Sequence, residues 1–297
     1  MSGRLARSYL YVPADVPERL KSALHRGADA IIADLEDAVA LKRKDVALNN
    51  AVDWLRSTHQ TSTELWVRIN PGQRGLEEVT ALFLKNLSGI CLAKVSGPED
   101  VENVAALLDE LESGAESRSP IPLMPLIESA TALQTLSGIA SASRVLRLQI
   151  GEIDLAADLG VSVEEEPNEL NYSRASVVVA SSAAGLLPPV GAVSTQYRDL
   201  DSFATSTRRL RRSGFIGRAV IHPAQISTVH EVFTPSHDEI RRAQSLVSRF
   251  DTALASGYGV LVDEDGRMVD EAVVRQSRRL LMLAELDSSH RNEEGPR

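Results

Sequence analysis

The amino-acid sequence predicts an α/β fold, a (β/α)₈ TIM barrel followed by a C-terminal helical arm and lid. The chain has 297 residues, which suits either two ordinary domains or one large barrel with an appendage. Short apolar segments of strand length recur eight times before residue 223, and helical segments separate most of them. No G-x-G-x-x-G turn follows the first of these segments, which disfavours a doubly wound dinucleotide-binding sheet. The repeated alternation therefore favours the barrel.

The eight predicted strands are apolar and lack the strict two-residue alternation of a sheet with one wet face. This pattern is expected of parallel strands that are covered on both faces. In chain order they are Ser8–Val12, Ala30–Leu35, Leu65–Asn70, Ile90–Val95, Leu123–Ile127, Val145–Ile150, Val190–Val193 and Ala219–His222.

The segments between the strands carry apolar residues with the spacing i, i+3, i+4 and i+7, which predicts helices with one buried stripe. Two examples are Leu48, Ala51, Val52, Leu55 and Val101, Val104, Ala105, Leu108. In the first helix, predicted over Pro17–His25, Asp15 can serve as the N-cap, and Gly27 can end the helix in a left-handed conformation.

The alternation stops after the eighth predicted strand, so we expect residues 1–223 to form the barrel and residues 224–297 to form a C-terminal helical extension. Two helices are predicted in this extension, His237–Ser256 and Glu271–Leu286, with the glycine-rich stretch Gly257–Gly266 between them. The last ten or so residues are polar, and we expect them to be disordered.

Composition and charge narrow the class of protein. The 32 basic and 41 acidic residues give a net charge of −9, whereas nucleic acids are bound by clustered positive charge, so we expect no nucleic-acid partner. The basic run from Arg208 to Arg212 is explained by a helix that ends before Gly214, where cations offset the helix dipole.

No apolar run approaches the roughly 20 residues of a membrane-spanning helix, and the first residues lack a signal-peptide pattern, so we expect a cytoplasmic protein. The single cysteine, Cys91, leaves oxygen or imidazole as the ligands for any metal.

Polar side chains that end the predicted strands form the candidate site, because active sites of such barrels lie at the carboxyl ends of the strands. These side chains are Asp34, Glu36, Asp37, Arg68, Asn70, Lys94, Glu128 and Asp154. Glu128 and Asp154 follow neighbouring strands, and paired carboxylates completed by water and substrate suit Mg²⁺. Arg68 suits a bidentate grip on a substrate carboxylate.

Structural interpretations of the same residues stay open at this point. Glu128 and Asp154 each precede or open a helix and can act as N-caps. Asp34 and Glu36 can pair with cations across the barrel mouth, with Arg68 as their structural partner. His222, which precedes Pro223, suits a packed histidine at a strand end.

At these residues the sequence resembles the citrate lyase β-subunit-like family, which includes malyl-CoA and citramalyl-CoA lyases on a barrel of the class II aldolase type. The resemblance runs from about Arg7 to Leu286. It is carried by the order and spacing of RSYLYVPADVPERLKSAL, GADAIIADLEDAV, LWVRIN, PLIESATAL, GEIDLAADLG, GRAVIHPAQISTVHEVFTPS and GYGVLVDEDGRMVDEAVV.

The resemblance implies a Mg²⁺-dependent carbon–carbon lyase, with Mn²⁺ as a possible replacement. It also implies a homotrimer or larger assembly in which the C-terminal lid of one copy covers the active site of a neighbour. A 3-hydroxy-carboxyacyl-CoA thioester, such as malyl-CoA, citramalyl-CoA or citryl-CoA, is cleaved into an acyl-CoA and a 2-oxo acid, or formed from them.

The residues of the family's site carry over to this sequence one by one. Glu128 and Asp154 match the metal ligands, and Arg68, in VRIN, matches the arginine that holds the substrate carboxylate. Glu36 and Asp37 match the acidic pair that lines the site. In GRMVD, Asp270 matches the lid aspartate that exchanges a proton with the substrate. Tyr11 and Arg7 fall where the first strand meets the thioester arm.

Because CoA is anionic and the chain is acidic, a local basic rim is also expected, with Arg7, Arg19 and Lys21 as candidates.

Two departures from the family pattern leave the substrate open. An acid expected near Gly191 is absent, and a segment usually written G-F-D-G-K has Ile216 in place of the acid. Three other functions also stay open: a citrate lyase β subunit acting on an acyl-carrier-protein thioester, a non-catalytic paralogue that binds CoA or a dicarboxylate, and a CoA-free 2-oxo-acid aldolase.

Overall fold

The structure is a computed structural model that describes residues 5–59, 61–114, 119–162, 168–263 and 266–293, with side chains described up to residue 285. The chain divides into two compact units, one formed by Ala6–His230 and the other by Glu231 onward together with Leu5. None of the helices in the described ranges combines the length and the apolar composition needed to cross a membrane.

The first unit contains a seven-stranded parallel sheet with the order β6-β5-β4-β3-β2-β1-β7. The strands are β1 (Ser8–Pro13), β2 (Ala30–Asp34), β3 (Glu64–Ile69), β4 (Gly89–Leu92), β5 (Leu123–Ile127), β6 (Gln149–Ile150) and β7 (Arg218–Val220). Neighbours in the sheet are neighbours in sequence except where β1 pairs with β7. This is the curled arrangement of a TIM-like barrel, so the predicted fold class is confirmed.

The predicted strand Val190–Val193 is not a regular strand. Val190 bridges to Gln149 on β6, and Gly191 bridges to Arg218 on β7, so this segment joins the two ends of the sheet through isolated bridges. Pro188 and Pro189 come directly before it and have no backbone N–H to donate, which keeps the pairing short. This segment therefore occupies the eighth strand position of the barrel, but it forms isolated bridges and no continuous run of strand hydrogen bonds.

The predicted strand Val145–Ile150 is also shorter than expected. Only Gln149 and Ile150 pair regularly, while Val145 forms a single bridge to Leu123. Between them Arg147 is buried and donates to the backbone carbonyls of Ala6, Pro188 and Ile216. Hydrogen bonds from the Arg147 side chain to backbone carbonyls therefore take the place of regular strand pairing at this position.

Helices and two 3₁₀ turns follow the strands. They are α1 (Pro17–Ala23), a turn at Leu41–Arg43, α2 (Lys44–Ser57), α3 (Gly72–Leu82), α4 (Pro98–Ser113), α5 (Ala130–Gln134), α6 (Leu136–Ser141), α7 (Glu152–Leu159), α8 (Asn171–Ala183), α9 (Leu200–Arg212), a turn at Pro223–Gln225 and α10 (Ile226–Phe233). Asp15 does not cap α1, since Val16 is at the N-cap position and the Asp15 carboxylate accepts from Arg43 at 2.7 Å. Gly27 and Gly214 have the positive φ expected after their helices.

The barrel interior is filled by side chains rather than open. The buried cluster inside it consists of Ala6, Tyr9, Ala30, Ile32, Trp66, Cys91, Met124, Leu126, Val190 and Ala219. Tyr9 packs edge-on against Trp66 with ring centroids 6.2 Å apart. The alternate residues Ile31 and Val67 are also fully buried, because the helices cover the outer face of the sheet.

The second unit contains α11 (His237–Ala255), the antiparallel pair β8 (Leu261–Val262) and β9 (Met268–Val269), and α12 (Glu271–Glu293). Ser236 and Glu239 form a capping box at the start of α11. A small core of Phe250, Val269 and Val274 joins these elements. The predicted glycine-rich stretch thus holds part of a hairpin. Helix α12 continues past its predicted end, and residues 294–297 lie outside the described residues.

Candidate active site

A cavity of about 460 Å³ opens at the carboxyl ends of the barrel strands. Among the predicted site residues, Tyr11, Asp37, Arg68, Glu128 and Asp154 line it. Glu36 lies directly behind, within 3.2 Å of the Arg68 guanidinium. The barrel topology brings these side chains together from five different strands and the segments that follow them, as the sequence predicted.

Arg68 is held in one orientation by a carboxylate on the neighbouring strand. It is directly opposite Asp34 in the β2–β3 register, and its Nε and Nη2 donate to the two Asp34 oxygens at 2.7 and 2.5 Å. The third guanidinium nitrogen, Nη1, is 3.2 Å from Glu36 Oε2. The Asp34 carboxylate also accepts from the backbone N–H of Glu36 at 2.9 Å, which fixes the loop after β2. Asp34 and Glu36 together therefore hold the guanidinium plane in one orientation.

The pKa values of the two acidic residues after β2, Glu36 and Asp37, are shifted in opposite directions. Burial raises the pKa of Glu36 to about 7. Burial acts in the same direction on Asp37, but hydrogen bonds with the Glu36 side chain and with Lys94 outweigh it and hold the pKa of Asp37 below its usual value. Near neutral pH the pair therefore carries one firm negative charge, on Asp37.

A second charged cluster surrounds Lys94, which follows β4. Its ammonium is 3.0 Å from Asp37 Oδ2, 2.9 Å from Asp154 Oδ1 and 4.0 Å from Glu128 Oε1. Its backbone N–H donates to the same Glu128 oxygen at 2.6 Å. Lys94 thus connects the three carboxylates, and it neutralises part of their mutual repulsion.

Glu128 has one carboxylate oxygen in use and one that is buried without a hydrogen-bond partner in the described part of the chain, Oε2. A Cβ atom at Gly151 would lie 2.9 Å from this oxygen, so the Glu128 carboxylate can approach the backbone this closely only because residue 151 has no side chain. Burial raises the pKa of Glu128, which reflects the cost of a charge without a full set of partners.

These donors fit a hard divalent cation in part. Over the described residues, no group of three or more His, Cys, Asp or Glu side chains is arranged to hold a metal ion. Two carboxylates and open space are nevertheless what Mg²⁺ uses when water and substrate complete its octahedron. The unpartnered oxygen of Glu128 and the half-exposed carboxylate of Asp154 are suitable ligands.

Tyr11 lies at the bottom of the cavity. Its hydroxyl donates to Gln149 Oε1 at 3.2 Å and is 3.7 Å from Cys91 Sγ, and the Arg68 guanidinium lies 5.1 Å from its ring centroid. Burial raises the pKa of the Tyr11 hydroxyl, so it stays protonated at neutral pH. Tyr11 therefore contributes an uncharged side chain to the cavity lining, next to the charged groups.

Arg7 does not lie with the other predicted site residues, which corrects its expected contact with the thioester arm. It precedes β1, so it is at the amino end of the barrel, where its Nε and its backbone N–H both donate to Asp29 at 2.8 Å. Of the other basic candidates, Arg19 lines the cavity.

Asp270 belongs to the second compact unit, where it precedes α12. Its Oδ1 accepts from the backbone N–H of Val273 at 3.1 Å, which makes it the N-cap of that helix. Its role as a proton carrier stays a prediction.

The two departures from the family pattern lie in packed regions. A Cβ atom at Gly191 would point at Leu210 of α9, 2.6 Å away, so an acidic side chain would meet the helix layer in this position. Ile216 is buried, and its carbonyl accepts from Arg147.

Charged side chains at the carboxyl ends of barrel strands are the arrangement of a barrel enzyme. The chain belongs to the HpcH/HpaI aldolase/citrate lyase family, whose model matches residues 7–223. The family predicted from the sequence and the enzyme class, a lyase, are confirmed.

Three relatives illustrate the similarity. The citrate lyase subunit beta of Leuconostoc mesenteroides subsp. cremoris is 33% identical over 296 residues, 95% of this chain and 94% of the relative. The mitochondrial citramalyl-CoA lyase of Rattus norvegicus is 29% identical over 291 residues, 94% of this chain and 86% of the relative. The structure of CitE from Mycobacterium tuberculosis in complex with magnesium, acetoacetate and coenzyme A matches with a TM-score of 0.77 at 27% identity, covering 95% of this chain and 100% of that one.

Proposed function

We propose that this protein is a divalent-metal-dependent carbon–carbon lyase that cleaves a 3-hydroxy-carboxyacyl-CoA thioester into an acyl-CoA and a 2-oxo acid, and catalyses the reverse condensation. The observation that carries the proposal is the buried, unpartnered Glu128 Oε2, on a residue that lines the same cavity as Asp154. Mg²⁺ is the proposed metal, since a structural relative was crystallised with magnesium, and Mn²⁺ is its nearest substitute.

Glu128 and Asp154 would hold the metal, which when bound supplies a Lewis acid for the oxygens of the 2-oxo acid fragment. Arg68 binds the carboxylate of that fragment through its guanidinium, whose plane the pair with Asp34 keeps fixed.

Cleavage begins when the substrate hydroxyl gives its proton to a carboxylate of the cavity, which acts as the general base. The C2–C3 bond then breaks, its electrons form the thioester enolate, and the 2-oxo acid leaves with a new carbonyl. The enolate takes a proton at carbon, and Asp270 is the proposed donor, brought by the lid of a neighbouring copy in a homotrimer or larger assembly. In condensation the same carboxylate removes that proton.

The substrates that the proposal favours are malyl-CoA, citramalyl-CoA and citryl-CoA, because relatives with similar sequences act on esters of this kind by name. A second candidate is the β subunit of a citrate lyase that acts on an acyl-carrier-protein thioester. The observation that favours it is the 33% identity to a citrate lyase subunit beta.

The test is to incubate the purified full-length protein and Mg²⁺ with the three CoA thioesters and with a citryl-acyl-carrier protein, and to measure release of the 2-oxo acid. Cleavage of a CoA thioester supports the first candidate, and cleavage of the carrier thioester alone supports the second. We expect Glu128→Gln to lower kcat/KM by about 100-fold. Asp53→Asn, at an exposed position on α2, is the matched control and should keep full activity. No cleavage of any thioester, and no condensation with acetyl-CoA or propionyl-CoA, would overturn the proposal.

A further inference from the structure

Lys94 has no part in the cleavage steps proposed above, yet its backbone and its side chain both point at the proposed metal ligands. It is one of two non-glycine residues with positive φ in the described ranges, at 53°. This conformation is unfavourable for a residue with a side chain, and it persists only where surrounding contacts require it. Here it directs the backbone N–H to Glu128 Oε1 at 2.6 Å.

The Lys94 ammonium lies among carboxylates that a metal would use. It is 2.9 Å from Asp154 Oδ1 and 4.0 Å from Glu128 Oε1, the two residues proposed as ligands. A third carboxylate, Asp37, is 3.0 Å away on the other side of the ammonium. A divalent cation bound to Asp154 and Glu128 would therefore meet a positive charge within a few ångströms, and the two cations would repel each other.

A second, smaller cavity gives the side chain a place to move. Lys94 lines this cavity of about 170 Å³, which lies among the segments that follow β3 and β4, whereas its three carboxylate partners line the main cavity. The polar wall of the smaller cavity includes Asn70, Gln73 and Asp100. A lysine side chain that leaves Asp154 can thus remain hydrated and near a carboxylate without crossing the apolar interior.

We propose that Lys94 is the resident cation of the metal-free site: its ammonium holds Asp154 beside Glu128 until a divalent metal displaces it from Asp154. Lys94 is then a positioning residue that preserves the ligand geometry and, because it competes with the metal, sets the metal affinity. The inference rests on the proposed function only in taking Glu128 and Asp154 as the ligands.

The test is a titration of the metal-free, full-length protein with Mn²⁺. Electron paramagnetic resonance of the free ion and calorimetry both measure the binding. Lys94→Met removes the ammonium and keeps the length of the side chain. Lys94→Gly removes it and also relieves the left-handed backbone, so the N–H bond to Glu128 is retained. The matched control is Lys85→Met, which removes the same charge at an exposed position before β4.

We expect Mn²⁺ to bind about ten-fold more tightly to Lys94→Met and Lys94→Gly than to the wild type, and equally to wild type and Lys85→Met. The metal-free Lys94 variants should melt at a lower temperature than the wild type, and Mn²⁺ should raise their melting temperature by a larger amount. Unchanged or weaker Mn²⁺ binding in both Lys94 variants would overturn the inference, as would an absence of binding in every protein.

Failure of the inference and failure of the proposed function are distinguishable, because metal binding is measured without turnover. A wild type that cleaves thioesters, with Lys94 variants that bind Mn²⁺ no more tightly, contradicts the inference alone. A protein that binds Mn²⁺ as expected but cleaves no thioester contradicts the proposed function and leaves the role of Lys94 supported. If Lys94→Met does not fold, Lys94→Gly carries the test.

Discussion

At the scale of single residues, the Asp34–Arg68 pair fixes the guanidinium that we propose as the binding group for the substrate carboxylate. Both side chains are almost fully buried, and two parallel hydrogen bonds fix the plane of the guanidinium. Asp34 occupies one edge of the guanidinium, and Nη1 lies 3.2 Å from Glu36. The structural interpretation of Arg68, as a partner of Asp34 and Glu36, is thus confirmed, and its role toward the substrate stays a prediction.

The first prediction concerns the shape of this side chain. Arg68→Lys keeps the charge but loses the planar fork, so we expect kcat/KM for thioester cleavage to fall on the order of 100-fold as the substrate carboxylate loses its alignment. Steady-state kinetics measures this. Arg241→Lys, in the exposed pair with Asp238, is the control and should change kcat/KM less than two-fold. Equal kinetics of Arg68→Lys and wild type would contradict the role of Arg68.

The second prediction concerns the pH dependence of stability at Glu36. Its pKa is raised to about 7 in the folded protein, above the ordinary value of 4.5. The folded state therefore binds a proton more tightly than the unfolded state does, so the associated stability is present below pH 4.5 and is lost as the pH rises through 7. Relative to wild type, Glu36→Gln should become more stable between pH 5 and pH 8.

Urea unfolding of the metal-free protein at several pH values measures this difference. The same experiment on Glu110→Gln, at an exposed position of α4, should give a difference that does not change with pH. A constant difference for Glu36→Gln as well would show that its carboxyl is not perturbed in the folded state.

At the scale of secondary-structure elements, the strands have to approach closely enough to fill the barrel interior. Gly89 begins β4 directly opposite Trp66 in the register with β3. A Cβ atom at position 89 would lie 2.3 Å from the Trp66 ring. The absence of a side chain is therefore a packing requirement of this pair of strands.

The third prediction is that Gly89→Ala lowers the free energy of unfolding by about 1–3 kcal/mol, because the indole must move in a filled core. Gly114→Ala is the matched control, since nothing lies within 4 Å of its Cβ position at the end of α4. Chemical denaturation compares the two variants. If Gly89→Ala is as stable as Gly114→Ala, the barrel interior is more adaptable than its packing suggests.

At the scale of the whole molecule, the lid residue and the barrel site belong to different compact units. The barrel unit holds Glu128, Asp154 and Arg68, and the second unit holds Asp270 at the start of α12. A complete active site in the proposed function therefore needs both units, and in the proposed assembly they come from different copies of the chain.

The fourth prediction tests this exchange. Asp270→Asn and Glu128→Gln should each be nearly inactive alone, and mixing them with subunit exchange should restore thioester cleavage, because an intact barrel meets an intact lid. Mixing Glu128→Gln with Asp154→Asn is the control, and it should restore nothing, since both changes lie in the barrel. Absence of recovery in the first mixture would indicate that each lid serves its own barrel.

Much of this protein follows from the sequence alone. Strand-length apolar segments such as Ala30–Asp34 are expected in parallel sheets that are buried on both faces, and their eightfold alternation with helices, without a G-x-G-x-x-G turn, favours the barrel over a doubly wound sheet. Because the carboxyl ends of parallel strands share one end of a barrel, the residues that follow them, Glu128, Asp154 and Arg68, were predictable as neighbours.

Only the tertiary structure decided which end of the barrel a residue near a strand occupies and which charged side chains pair with each other. Arg7 directly precedes β1 and Tyr11 lies within it, yet these four residues of chain place them toward opposite ends of the barrel, because a strand rises about 3.3 Å per residue. The partners of Lys94 come from the segments that follow three different strands, and its left-handed backbone has no signal in the local sequence. Sequence periodicity determines which elements form and which ends they share, whereas the pairing of charges depends on distances that exist only after the barrel has closed.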